Sequence, residues 1–115
     1  GDWAIIRGYS LIHQFCSIGS HSFVGMGSGV KLDVAAYCVV MGFPAEIKGL
    51  NTEGLKRRGF SKESLASIKK AYRIVFRSGL KVDEALEQLA PLIEECEEVR
   101  LFADSVINSK RGLVR

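Results

Sequence analysis

Residues 4–33 read AIIRGYSLIHQFCSIGSHSFVGMGSGVKLD, and every sixth position from Ile6 is aliphatic and β-branched: Ile6, Ile12, Ile18, Val24 and Val30. The positions two earlier, Ala4, Ser10, Cys16, Ser22 and Ser28, are all small. A spacing of six fits neither a helical period nor simple strand alternation, so the stretch is an internal repeat. A hexad holds one short strand and one turn. Three hexads would close a triangular coil, and successive coils would stack as parallel strands about 4.8 Å apart. The aliphatic residue of each hexad then points into the prism and rests on its counterpart in the next coil. The small residue occupies the cramped corner, which makes Cys16 a buried filler. Gly19, Gly25 and Gly29 are expected to relieve backbone strain at turns.

The regularity weakens after Val30. Val34, Ala36 and Val40 keep a looser version, and Gly42-Phe43-Pro44-Ala45 closes it. That gives about two coils, too few to bury a core alone, because repeats rely on their neighbours and caps. The chain opens without methionine and enters the repeat at once, so further coils are expected to precede Gly1.

Residues 46–115 read as helical. A connector with a short turn at Glu53–Arg58 leads to Ser61, a good N-cap. The spacing of Leu65, Ile68, Tyr72, Val75 and Phe76 predicts a helix over 62–77. A second helix is expected over 82–90, ended by Pro91, which can open another short turn. A last helix spans 97–109, with Val99, Phe102 and Val106 on one face, and the tail 110–115 completes the chain.

Composition excludes several classes. The 115 residues suffice for one ordinary domain, and their 47% hydrophobic content is that of a globular protein. No apolar run reaches the length of a membrane span, and no basic segment opens a signal peptide. Cys16, Cys38 and Cys96 are widely spaced and form no zinc motif, the pattern of reduced thiols in a cytosolic protein. Net charge is only +3 but is unevenly spread: residues 46–81 carry ten lysines and arginines against three glutamates, and residues 82–98 carry seven acids and no base. Such asymmetry serves either solvated faces that pair with each other or a docking surface. Nucleic acid is disfavoured, since no aromatics interleave with the cations. No phosphate loop, dinucleotide fingerprint, nucleophile elbow or carboxylate pair is present.

Two candidates for chemistry remain. His13 follows Ile12 and therefore projects outward from a flat face, beside Gln14; an outward histidine is equally an ordinary surface residue. The stretch Asn51-Thr52-Glu53-Gly54-Leu55-Lys56-Arg57-Arg58-Gly59-Phe60 puts three cations between glycines. Arginine forks match phosphate oxygens, although a solvated basic loop has the same composition.

Together, Ile12-His13-Gln14-Phe15 within the hexads, the passage Gly49 to Ser61 and the terminal Arg111-Gly112-Leu113-Val114-Arg115 resemble the C-terminal part of the bacterial UDP-N-acetylglucosamine O-acyltransferases, hexapeptide-repeat enzymes of lipid A synthesis. The resemblance covers essentially the whole chain. It implies a left-handed parallel β-helix, here about two coils at residues 1–45, followed by a helical domain at 46–115. General crossover statistics alone would favour the right hand. It further implies a cytoplasmic homotrimer with active sites between subunits, no metal or cofactor, and transfer of a hydroxyacyl chain from acyl carrier protein to the 3-position of UDP-N-acetylglucosamine.

By position in the matching motifs, His13 and Gln14 correspond to cleft residues near the sugar and acyl group. Asn51, Glu53, Arg57 and Arg58 correspond to contacts with the uridine and its phosphates. Met26 corresponds to the end stop of the acyl groove, where it would fill space among the open backbone of Gly25, Gly27 and Gly29. The family's general-base histidine lies in an earlier coil, so no catalytic residue is expected within this chain, and the piece alone is expected to be inactive. Arg7 and Tyr9 depart from the smaller residues common in the family, and Phe43-Pro44 from the more polar turn of some relatives. The alternative is a non-catalytic module for trimerisation and carrier-protein docking, its basic stretch from Lys56 to Lys81 attracting an acidic partner.

Overall fold

The computed structural model describes residues 1–109 and 112–115. Short strands β1 (Ile5–Ile6), β2 (Leu11–Ile12), β3 (Phe23–Val24), β4 (Gly29–Val30) and β5 (Cys38–Met41) lie on the walls of a prism. Parallel pairing places Ile6 beside Val24 and Val24 beside Val40 on one wall, and Ile12 beside Val30 on the second. A parallel bridge joins Ile18 to Val34 on the third. The aliphatic row thus stacks on itself, wall by wall.

Burial runs along the axis. Ile6 is 49% exposed, whereas Val24 beneath it is fully enclosed. Val24, Val30, Val34 and Val40 fill the interior, with Ile12 and Ile18 packed against them. Cys16 is half-exposed, not the buried filler expected. Its counterparts Ser22 and Ser28, one coil in, are enclosed.

The corners are tight turns. In the second coil the Ser22 and Ser28 hydroxyls donate to the carbonyls of Gly19 and Gly25, three residues back, at 2.6 and 2.7 Å. Positive φ falls on the residue before each small one: Trp3, Tyr9, Phe15, His21 and Gly27, at 57–71°. Only that third turn residue is left-handed, the pattern of a type II turn. Gly19, Gly25 and Gly29 therefore do not relieve strain as expected. They are small because the chain passes close by: a Cβ on Gly19 would lie 2.6 Å from the Ala36 Cα, and one on Gly25 3.1 Å from Met41.

The loosened repeat after Val30 has a physical cause. Val34 follows Val30 by four residues instead of six, and the Asp33 carboxylate takes up the Ser17 N–H at 2.7 Å. The tail then completes the third wall. Leu113 bridges to Asp33, and Val114 enters the prism core. Arg111, part of the tail motif, and Lys110 lie outside the described residues.

Beyond the coils the chain continues as a strand. β6 (Glu46–Leu50), read from sequence as connector, pairs antiparallel with β5 across a register shift at Val39/Val40. The helices are α1 (Thr52–Arg57), α2 (Lys62–Phe76), α3 (Val82–Glu95) and α4 (Glu97–Ile107). Ser61 caps α2, accepting from the Ser64 N–H at 3.0 Å. Pro91 does not end α3. The missing N–H costs one hydrogen bond, but Leu92 and Ile93 beyond it still pack on the helical core, which keeps the turn in place. Cys96, extended at φ −144°, separates α3 from α4.

Phe102 and Tyr37 join coils to helices, their rings stacked 6.5 Å apart. The Tyr37 hydroxyl donates to the Glu98 carbonyl at 2.7 Å, and the Ala36 N–H to Ser105 Oγ at 3.0 Å. Burial raises the Tyr37 pKa well above its ordinary value, so the phenol remains a donor.

Candidate functional site

A cleft opens where α1 meets the wall carrying β1 and β3. Asn51, Glu53, Arg57 and Arg58 line it together. Trp3, Ile5, His21 and Phe23 form the opposite side. Asn51 is the hinge between the two. As N-cap of α1 its Oδ1 accepts the Gly54 N–H at 3.2 Å, and its Nδ2 donates to the His21 carbonyl at 2.9 Å.

The short helix then delivers its cations. Arg57 sits in the last turn of α1 and Arg58 is the C-cap, its N–H turned back to the carbonyls of Gly54 and Leu55. The Arg58 guanidinium lies over the Trp3 ring, 3.6 Å from its centroid. Both arginines are exposed, so their donors reach the cleft without the cost of a buried charge. Glu53 sits in the first turn of α1, where the helix dipole favours its carboxylate.

His21 closes the floor. Its ring meets Phe60 edge-on at 5.1 Å and stacks on Tyr37 at 5.8 Å. Burial first, and then the charge of Arg58, lower its pKa, with Asp2 opposing. The two exposed arginines give this side of the cleft donors that can meet an anion. Sequence reasoning missed both Trp3 and His21. Their left-handed backbone, at φ 60° and 57°, turns them out at the same corner of two successive coils. The six-residue row from Trp3 to Gly27 was the available signal.

His13 and Gln14 lie elsewhere, at the β2–β4 wall. His13 lines a hollow with Leu11, Lys31 and Phe43. Its Nδ1 is 2.8 Å from the Gln14 carbonyl, and its N–H donates to the Val30 carbonyl at 2.8 Å. Within one chain, therefore, the expected binding residues divide between two walls. Met26 is 63% exposed at the turn before Gly27. The open backbone expected around it is not found at Gly25 and Gly29, where Met41 and Phe43 close in.

The profile of the family described as UDP N-acetylglucosamine O-acyltransferase, domain 2, matches residues 33–114. An acyl-[acyl-carrier-protein]–UDP-N-acetylglucosamine O-acyltransferase of Pseudomonas entomophila is 51% identical over all 115 residues, which cover 45% of that protein. A crystal structure of UDP-N-acetylglucosamine O-acyltransferase from Moraxella catarrhalis is matched with a TM-score of 0.95 at 51% identity, over 97% of this chain and 44% of that one. The Francisella novicida UDP-N-acetylglucosamine acyltransferase is matched at 0.93 and 37% identity, over 99% and 42%. The chain thus spans less than half the length of these relatives. Among the described residues no helix is long and apolar enough to cross a membrane.

Proposed function

The chain belongs to the UDP N-acetylglucosamine O-acyltransferase family, and from that premise we propose that it is part of an enzyme transferring a hydroxyacyl chain from acyl carrier protein to the 3-position of UDP-N-acetylglucosamine, the first step of lipid A synthesis. The convergence of Asn51, Glu53, Arg57 and Arg58 on one cleft carries this reading. The arginines bind the pyrophosphate and the remaining polar groups receive the nucleoside. Arg57→Ala in the full-length protein then removes a charge-assisted contact of roughly 1.5–3 kcal/mol. Titration with UDP-N-acetylglucosamine reads the loss, and unchanged affinity removes Arg57 from the site.

The left-handed coil, the division near residue 45 and the homotrimer belong to the same reading. Two exposed walls, one with His13 and Gln14 and one with Arg57 and Arg58, fit a site assembled between neighbouring copies. Such a site is completed only in the oligomer. The general base comes from an earlier coil, so residues 1–115 bind substrate without catalysing transfer. Carrier protein docks on the basic stretch from Lys56 to Lys81, where Lys69, Arg73 and Arg77 line a groove beside Tyr72.

A further inference from the structure

We propose that Trp3 is a positioning residue of this cleft: its indole face holds the Arg58 guanidinium, so that Arg58 is the donor set in advance for the diphosphate. The role rests on the nucleotide-sugar reading of the cleft. Three observations support it. At 3.6 Å from the ring centroid the guanidinium lies on the indole face, where the ring quadrupole attracts a cation and leaves the N–H edges unspent. The backbone that carries the side chain is held too, because the Arg58 main-chain N–H donates to the Gly54 and Leu55 carbonyls at 3.2 Å. And among the described residues the ion pairs present are Lys48–Glu46 and Arg100–Glu97, neither of which engages Arg58.

Arg57, by contrast, has no aromatic face beneath it among the described contacts. An arginine free to rotate loses more freedom when it binds a ligand than one already lying in place. Trp3 comes from the first corner of the coil and Arg58 from the end of α1, so the stack also fixes the width of the cleft. Trp3 is 57% exposed, and its removal empties no core.

The test separates the charged part of the ligand from the base. UDP and uridine are titrated calorimetrically into the full-length protein and its Trp3→Ala, Trp3→Phe, Arg58→Ala and doubly substituted forms. Trp3→Ala weakens UDP binding about three- to thirty-fold and leaves uridine unchanged. Trp3→Phe recovers most of the loss. In the Arg58→Ala background, Trp3→Ala has no further effect. Equal losses for UDP and uridine would instead make Trp3 a platform for the base and overturn the proposal, as would an unchanged UDP affinity in Trp3→Ala. Wild-type protein that binds no UDP overturns the nucleotide site itself and this role with it. Wild-type binding with an Arg58→Ala loss but no Trp3→Ala loss overturns only the role of Trp3.

Discussion

Asn51 reaches across from the start of α1 to the corner of the coil and donates its side-chain amide to the main-chain carbonyl of His21 at 2.9 Å. The residue read as a ligand contact is thus also the bond that holds α1 to the wall. Asn51→Asp keeps the capping oxygen but loses this donor; Asn51→Ala loses both. We expect Asn51→Asp to cost about 1 kcal/mol and Asn51→Ala about 1–2 kcal/mol of unfolding free energy, measured by denaturant titration. Full stability with lost nucleotide binding would make Asn51 a ligand contact alone.

The acidity of His21 makes stability depend on pH in a definite direction. Its pKa lies below the ordinary 6.5, chiefly through burial, so below that pH the unfolded chain binds more protons than the folded one. Stability therefore rises with pH through the range just under 6.5 and levels off above it. Asparagine tolerates the left-handed corner and does not titrate. Subtracting the melting profile of His21→Asn from that of the wild type across this range should leave a rising curve. A flat difference would show that His21 titrates alike in both states.

Gly19→Ala tests the close passage of the second coil. Its Cβ would meet main-chain atoms of Ala36, which cannot swing away as a side-chain tip can. Overpacking of this kind costs about 1–3 kcal/mol. Gly8→Ala, where nothing lies within 4 Å, is the control and should stay near wild type. Equal melting temperatures for the two variants would rule out the clash.

Met26 is exposed at its turn, so Met26→Gly should change stability by no more than about 0.5 kcal/mol. If Met26 ends the acyl groove of the assembled enzyme, the same substitution shifts preference from hydroxyacyl chains of about ten to twelve carbons toward longer donors. Competition between carrier proteins of different chain length measures this. An identical length profile would show that Met26 is not the ruler.

Charge reversal tests the proposal that carrier protein docks on the basic stretch. Lys69→Glu with Arg73→Glu should slow association and flatten its dependence on salt, because steering between opposite charges is screened by ions. Kinetics indifferent to both substitutions would leave the groove beside Tyr72 a solvated surface.

The inner row of the prism was legible because burial selects Ile and Val directly, and the coil returns them to the same wall. The corners were less so. Positive φ is announced in sequence by glycine, yet Trp3, Tyr9, Phe15 and His21 adopt it here, held by the turn on either side. Strand β6 alternates only briefly, over Glu46-Ile47-Lys48, before Gly49 breaks the pattern, and it takes its conformation from β5. Pro91 carries a local stop signal that the apolar face beyond it overrides. In the cleft, residues 51–58 could be grouped because one short helix carries them. Trp3 meets Arg58 only through the folded chain, and no local pattern in either segment announces that contact.

The reversal of direction at β6 has a consequence for length. Strands β1, β3 and β5 run the same way and each can template another like itself, whereas β6 runs against them. The run of parallel steps therefore ends at β5, and a repeat added within it must come as a whole coil that keeps its neighbours parallel. A whole coil inserted between β1 and β3 would keep every wall parallel, yet it would carry Trp3 one step of the stack away from Arg58 and so unmake the cleft at α1.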